Sequence, residues 1–203
     1  MRLIGKLDSP YVRRVAISLD LLGHGFEHHD LSVFSDYEAF EAINPIVKAP
    51  TLVTDDGTVL LDSTLILEAI ERPLAADRRL APTELQDFLR HQRIVGLALA
   101  ACEKTVQIAY EHRLRPEEKR YEPWIDRVGT QLDHAYRLLE AELDNTIPWL
   151  FGSRPLQADI TAAVAWRFSR DMLPIRVTAE KYPRLAALSA EAEALPAFLA
   201  YAP

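Results

Sequence analysis

Two serines sit where apolar, helix-spaced runs begin, and both have the surroundings of an anion site. Ser9 is followed by Pro10, a pairing that reads as an N-cap with proline at the first helical position. A hydroxyl at a helix N-terminus stands beside free backbone N–H groups and the positive end of the helix dipole, which together favour a negative charge. Ser63, preceded by Asp62, caps a second apolar run. Its hydroxyl and the backbone donors suit a carboxylate, and Asp62 suits an ammonium. Both serines also read as plain helix caps, Ser63 with a common acidic neighbour. Between them lies Lys48-Ala49-Pro50. Lys48 fits a carboxylate or a solvated surface charge. Pro50 fits an ordinary strand start, where no N–H is needed.

The other reactive types carry less. Tyr11 is a second hydroxyl donor inside the first helical turn, ranked below Ser9. Arg13 and Arg14 face solvent, a partner subunit or a small anion, with a structural ion pair preferred. Cys102 lies among Ala100, Ala101 and Val106 and reads as a small core residue. As the chain's one cysteine it has no disulfide or resolving partner, so thiol-based reductase or peroxidase chemistry is disfavoured. The six histidines show no metal spacing; His28 and His29 are adjacent in an expected strand and point to opposite faces. No metal is expected.

The elements that must position these residues divide into two textures. Arg2–Leu7 reads as a buried strand, Ser9 to Leu22 as a helix stopped by Gly23, and Phe26–Leu31 as a second strand. Asp36–Ile43 is a short helix ending before Asn44-Pro45. Thr51–Thr54, Asp55-Asp56-Gly57 and Val59–Leu61 form strand, tight turn and strand. The Ser63 helix follows, with Leu65, Ile66, Leu67 and Ile70 on its apolar side. The order β-α-β-α-β-β-α implies a mixed sheet with helices packed on it. Arg72–Ala81 reads as a linker. Beyond it strands disappear. Pro82–Arg113 is one long helical stretch, Pro116 opens a second helix running to about Asn145, a third starts near Ala158 and a fourth near Pro183. The expected domains are residues 1–78 and 83–203, the second an all-α bundle. Gly96 on the long helix allows a close approach, in the bundle or at a subunit interface. Trp124, Trp149 and Trp166 read as bundle or interface aromatics.

The bulk of the chain narrows the function. Its 203 residues are 49% hydrophobic and 26% charged, an ordinary globular balance. A formal net charge of −7 disfavours nucleic acid and anionic membranes as partners. A single cysteine, charge early in the N-terminal segment and no stretch near bilayer length point to a cytoplasmic protein.

Several segments together carry a resemblance. Ser9-Pro10-Tyr11-Val12-Arg13-Arg14 resembles the S-P-[FY]-V-R-K motif of a bacterial branch of the glutathione S-transferase superfamily. Asn44-Pro45-Ile46-Val47-Lys48-Ala49-Pro50-Thr51-Leu52 is similar to its N-P-x-G-K-[VA]-P-x-L, and Asp62-Ser63 to its [ED]-S signature. Tyr110-Glu111-His112-Arg113-Leu114-Arg115-Pro116-Glu117-Glu118-Lys119 and Phe151-Gly152 through Ala158-Asp159-Ile160 resemble later motifs of the helical half. Val47 departs from the pattern where glycine is common. Leu156 departs where Ser or Thr usually caps the late helix, so a capping box with Asp159 lacks its first partner.

The resemblance implies an α+β thioredoxin-like domain followed by a helical domain, the usual architecture of the family. It implies glutathione as co-substrate, with a homodimer as the assembly. Thioredoxin-fold redox proteins carry C-P-Y-C in the loop that here reads Ser9-Pro10-Tyr11-Val12, so dithiol exchange at this loop is impossible. Ser9 would instead donate a hydrogen bond to the glutathione thiolate. The resemblance also implies a cis Ala49-Pro50 bond, with the Ala49 backbone pairing with the cysteinyl part of glutathione as an added strand. Lys48 would meet the glycyl carboxylate, Ser63 the γ-glutamyl carboxylate and Asp62 the γ-glutamyl ammonium. The expected activity is conjugation of glutathione to a small, apolar electrophile, for which the helical half supplies most of the pocket. A non-catalytic glutathione-binding or stress-related module, and a glutathione-dependent isomerase or lyase, are the alternatives.

Overall fold

The computed structural model describes residues 1–143 and 148–203. The expected end of the second long helix near Asn145 lies outside the described residues.

The chain forms two compact units. The first comprises Met1–Thr83 with Ala194–Pro203, the second Glu84–Glu193. In the first, strands β1 (Arg2–Ile4), β2 (Glu27–His29), β3 (Thr51–Val53) and β4 (Val59–Leu61) form a sheet in the order β2-β1-β3-β4. β1 and β2 are parallel, with Leu3 opposite His28; β1–β3 and β3–β4 are antiparallel. A parallel pair needs a crossover, and helix α1 (Pro10–Leu21) supplies it. α2 (Tyr37–Glu41) and α3 (Ser63–Glu71) complete the β-α-β-α-β-β-α order read from the sequence. The thioredoxin-like half is as expected.

Apolar spacing explains which faces are covered. Val12, Val15, Ala16 and Leu19 on α1, and Ile66 and Ile70 on α3, are buried, as are Leu3, Ile4 and Leu52 of the central strands. Gly57, at φ 87°, makes the turn between β3 and β4. The expected linker is ordered structure. Residues Ala76–Arg78 form a 3₁₀ turn, Leu80 is buried, and its N–H donates to the Glu71 carboxylate at 3.0 Å.

In the second unit, α4 (Leu85–Leu114) packs against α5 (Glu122–Glu142) and α6 (Gln157–Met172), and α6 against α7 (Pro183–Glu193). α6 is the central helix, buried continuously from Gln157 to Trp166. Its alanines let neighbouring helices come close. Tyr136, Trp166 and Tyr182 meet ring to ring, and the buried Tyr136 hydroxyl donates to the Ala165 carbonyl at 2.8 Å. Thr105 and Ser169 pair hydroxyl to hydroxyl at 2.6 Å between α4 and α6. Gly96 is exposed, and an added Cβ there would meet nothing within 4 Å, so no close approach within its unit accounts for it.

Two expectations about the helices are corrected. Pro116 does not open the second long helix. It precedes a 3₁₀ turn over Glu117–Lys119, and α5 begins at Glu122 with Pro123 in its first turn. Proline is tolerated at either place, because neither needs its missing N–H. A fifth helix, α8 (Pro196–Ala200), follows α7 after a break at Leu195 and packs on α1 within the first unit.

Candidate functional site

The segments carrying the sequence-predicted residues all lie in the first unit. β1 is followed by Gly5, whose φ of 134° favours glycine. A Cβ at Gly5 would stand 2.6 Å from Val12 Cγ2 and 3.0 Å from Ala49 Cβ. The missing side chain therefore lets the strand end, α1 and the Ala49 loop meet closely. Ser9 is the N-cap of α1 by backbone geometry, and its carbonyl accepts the Arg13 N–H at 3.0 Å. Its side chain makes no capping hydrogen bond. The half-buried hydroxyl is thus not committed to the role a plain cap would give it.

The Ala49-Pro50 bond is cis. The loop before it is tied by buried polar groups. Asn44 Nδ2 donates to Thr51 Oγ1 at 2.9 Å, and that hydroxyl donates to the Lys48 carbonyl at 2.7 Å. Asn44 Oδ1 accepts the Ile46 N–H at 3.1 Å. Val47 sits at φ 50°, in the left-handed region, which gives the physical reason glycine is the easier residue there. Lys48 Nζ lies 3.9 Å from Asp62 Oδ2, both side chains about half exposed. At that distance and exposure the pair is weak and readily exchanged for other partners.

At the start of α3 the expected cap is displaced by one residue. Asp62, not Ser63, is the N-cap: it sits at φ 69°, and its Oδ1 accepts the Thr64 N–H at 2.9 Å. Ser63 is the first helical residue and is buried. A carboxylate is as good a cap as a hydroxyl, and taking that role frees Ser63 for another. Its Oγ accepts from Arg14 Nη1 at 3.1 Å, and Thr64 Oγ1 accepts from the same nitrogen at 3.2 Å.

Both arginines after the Ser9 loop are buried, each 2% exposed. Arg13 Nε donates to the Tyr201 carbonyl at 2.8 Å and Nη2 to the Phe198 carbonyl at 3.3 Å, with the guanidinium 5.5 Å from the Phe198 ring centre. The sequence offered solvent, a partner subunit, an anion or an ion pair for them. A carbonyl acceptor 185 residues away and hydroxyl acceptors 49 and 50 residues away leave no local signal. Cys102 is buried within the second unit, midway along α4. Tyr11 is half-buried in the first turn of α1. No group of His, Cys, Asp and Glu able to hold a metal occurs among the described residues. No helix among them is long and apolar enough to cross a membrane.

Comparison with known proteins decides the lineage. The family model "Glutathione S-transferase, N-terminal domain" matches residues 3–75, and "Glutathione S-transferase, C-terminal domain" matches residues 122–191. This chain belongs to the glutathione S-transferase superfamily. A solved glutathione S-transferase from Methylobacterium radiotolerans, in complex with glutathione sulfonate, superposes with a TM-score of 0.90 at 28% identity, covering 100% of this chain and 94% of that one. Among curated relatives, an uncharacterised GST-like protein of Escherichia coli K12, YibF, is 29% identical over 148 residues, 72% of each chain. A maleylacetoacetate isomerase of Pseudomonas aeruginosa is 29% identical over 202 residues, 91% of this chain and 87% of its own. Membership in the superfamily brings both sheet and bundle under one lineage.

Proposed function

We propose that this protein is a glutathione transferase, conjugating the thiolate of reduced glutathione to a small, apolar electrophile. One observation carries the reading: Ser9 stands at the N-terminus of α1 with no capping bond on its hydroxyl. That hydroxyl donates to the glutathione sulfur. With the helix dipole and the first backbone N–H groups it favours thiolate over thiol and lowers the thiol pKa. Ser9 keeps its proton throughout. The sulfur attacks the electrophilic carbon; a C–S bond forms, and the leaving group departs with the electron pair of the bond it leaves. Proximity of the two bound reactants supplies much of the rate.

The rest of glutathione is held from both ends. The Ala49 backbone beside Pro50 pairs with the cysteinyl residue. Lys48 meets the glycyl carboxylate, exchanging its weak contact with Asp62. Ser63 donates to the γ-glutamyl carboxylate, and Asp62 accepts from the γ-glutamyl ammonium. The glutathione-binding part is residues 1–78 and the helical part 83–203. The Ser9-Pro10-Tyr11-Val12-Arg13-Arg14 segment supports assignment to the bacterial branch whose motif it resembles. The bound ligand of the Methylobacterium relative supports glutathione as the co-substrate. We assign the protein to the cytoplasm as a homodimer.

A second reading is supported by the isomerase relative, similar over nearly the whole chain. Both activities use the same thiolate. They differ in whether glutathione is consumed.

The test begins with calorimetric binding of reduced glutathione to the wild type and Ser63→Ala. The expected loss in the variant is about 1–3 kcal/mol, one hydrogen bond to a charged group. Ser9→Ala is expected to bind glutathione nearly as well but turn over an aryl halide about 100-fold more slowly, the size of one lost donor to a developing or bound anion. Its pH–rate profile should move up towards the ordinary thiol value of about 8.5. Turnover that leaves glutathione unconsumed selects the isomerase. No saturable binding at millimolar glutathione removes both readings.

A further inference from the structure

The chain leaves β1 through Gly5 and reaches Ser9 by a short loop. Gly5 has to be glycine: its φ is 134°, and a Cβ would stand 2.6 Å from Val12 Cγ2. Glycine is also the residue with the greatest backbone freedom, so the peptide that follows it needs a hold from outside. His28, on the neighbouring strand β2, supplies one. Its Nε2 donates to the Gly5 carbonyl at 2.8 Å in a part-buried setting. A carbonyl only accepts, so the imidazole carries its proton on Nε2. The Gly5 N–H donates to the His29 carbonyl at 3.0 Å. Two consecutive residues of β2 thus hold both polar groups of one glycine. The Lys6–Asp30 pair nearby, at 3.2 Å, joins two exposed side chains and adds little.

The hold is passed on to Ser9. The Gly5–Lys6 peptide sets the direction of Lys6, whose carbonyl accepts the Ser9 N–H at 3.1 Å, and the Ser9 carbonyl accepts the Arg13 N–H at 3.0 Å. Gly5 also lies against the other side of the site, where its Cβ would stand 3.0 Å from Ala49 Cβ. One carbonyl therefore keeps the Ser9 loop in register with the Ala49 loop. We propose that His28 is a positioning residue for Ser9: by holding the Gly5 carbonyl it aims the Ser9 hydroxyl at the sulfur of a glutathione whose cysteinyl part is paired with Ala49. The proposal rests on the reading above, in which Ser9 donates to that sulfur. His28 acts through Gly5 and takes no part in proton transfer.

The competing role is a bond that only steadies the edge of the sheet. The pKa of the thiol of bound glutathione, followed by the ultraviolet absorbance of the thiolate, separates the two and needs no electrophile. It is measured in wild type, His28→Phe, Ser9→Ala and the double variant. In wild type it should lie below the ordinary thiol value of about 8.5. His28→Phe keeps a ring and removes the donor; it should raise the pKa at least half as far as Ser9→Ala does. In the Ser9→Ala background it should add no further rise, because the two residues act through one hydroxyl. Turnover of an aryl halide by His28→Phe should fall roughly tenfold, with the KM for glutathione close to that of wild type, as for a misplaced group rather than lost binding. His28→Gln, whose amide nitrogen extends about as far as Nε2, should restore the wild-type pKa. A steadying bond would lower thermal stability and leave the thiol pKa where it was, or shift it equally in both backgrounds, and either result overturns the proposal. If His28→Phe does not fold, the cycle is run on His28→Asn, whose shorter amide does not reach the Gly5 carbonyl, with the same outcomes. A thiol pKa that Ser9→Ala leaves unmoved, or wild-type protein that does not bind glutathione, overturns the functional reading and this proposal together. A pKa that responds to Ser9→Ala and not to the His28 variants overturns only this one.

Discussion

Asp62 and Val47 are the two non-glycine residues held at positive φ among the described residues, at 69° and 50°. Both flank the proposed glutathione site. Backbone held in such regions costs of order 1–3 kcal/mol and persists where the surroundings or a function impose it. Asp62 shows the exchange most clearly. Its carboxylate caps Thr64 and lies 3.9 Å from Lys48, and both jobs require the residue where it is. Asp62→Gly removes the strain and loses only a few tenths of a kcal/mol as a cap. The variant is therefore expected to be more stable than wild type by about 1 kcal/mol in denaturant unfolding. It should also bind glutathione more weakly, having lost the partner of the γ-glutamyl ammonium. A variant less stable than wild type would show that the Asp62 conformation is not strained.

At the scale of the element, α6 shows how a missing cap is compensated. Leu156 at its N-cap has no acceptor to offer, as the sequence indicates. The other half of the box is intact and extended: Asp159 accepts the Leu156 N–H and also the Leu150 N–H, each at 2.9 Å. One carboxylate thus ties the helix start to the turn before it. Asp159 is fully buried, and desolvation pushes its pKa up to about 6 despite those two N–H donors, which act to lower it. The folded pKa lies above the unfolded value of 3.8. The folded protein therefore holds this proton more tightly. That contribution to stability is complete below the unfolded value and is lost as pH rises through about 6. Unfolding free energies measured from pH 4 to pH 7 should show this decline in wild type relative to Asp159→Asn, whose side chain does not titrate. The Asn variant should be less stable throughout, because one of the two N–H groups loses its acceptor. Parallel pH profiles for the two proteins would place the Asp159 pKa near its ordinary value.

At the scale of the molecule, the last ten residues return to the first unit. The sequence places them in the helical half, following the fourth predicted helix. Arg13 explains the return. It offers its donors to the Tyr201 and Phe198 carbonyls, while its guanidinium lies over the Phe198 ring and Tyr201 meets Phe26. α8 has five residues and would not be helical alone; packing on α1 and the carbonyl contacts sustain it. Arg13→Met is expected to destabilise the protein by about 2–4 kcal/mol, since two carbonyls lose a buried donor. Amide exchange should report faster opening over residues 196–201 than elsewhere in the first unit. A loss under about 0.5 kcal/mol, the range of ordinary surface changes, would show that the C-terminal helix holds without the arginine.

What the sequence determines by itself is what lies within a few residues of its cause. Ser9-Pro10 starts α1, Asp56-Gly57 turns β3 into β4, and apolar spacing sets the buried faces of α1 and α3. These follow from local backbone preference and side-chain period, and they suffice for the order of elements and the fold class. The first turn of α3 marks the limit. Both Asp62 and Ser63 read as cap residues in sequence, and only the folded backbone, with Asp62 at positive φ, assigns the cap to one and the Arg14 contact to the other. The same holds for Arg13 and Arg14, adjacent and alike, which reach acceptors 185 and 49 residues away. A buried donor takes whichever acceptor the closed chain brings to it, and that choice is made by tertiary packing rather than by neighbours in sequence.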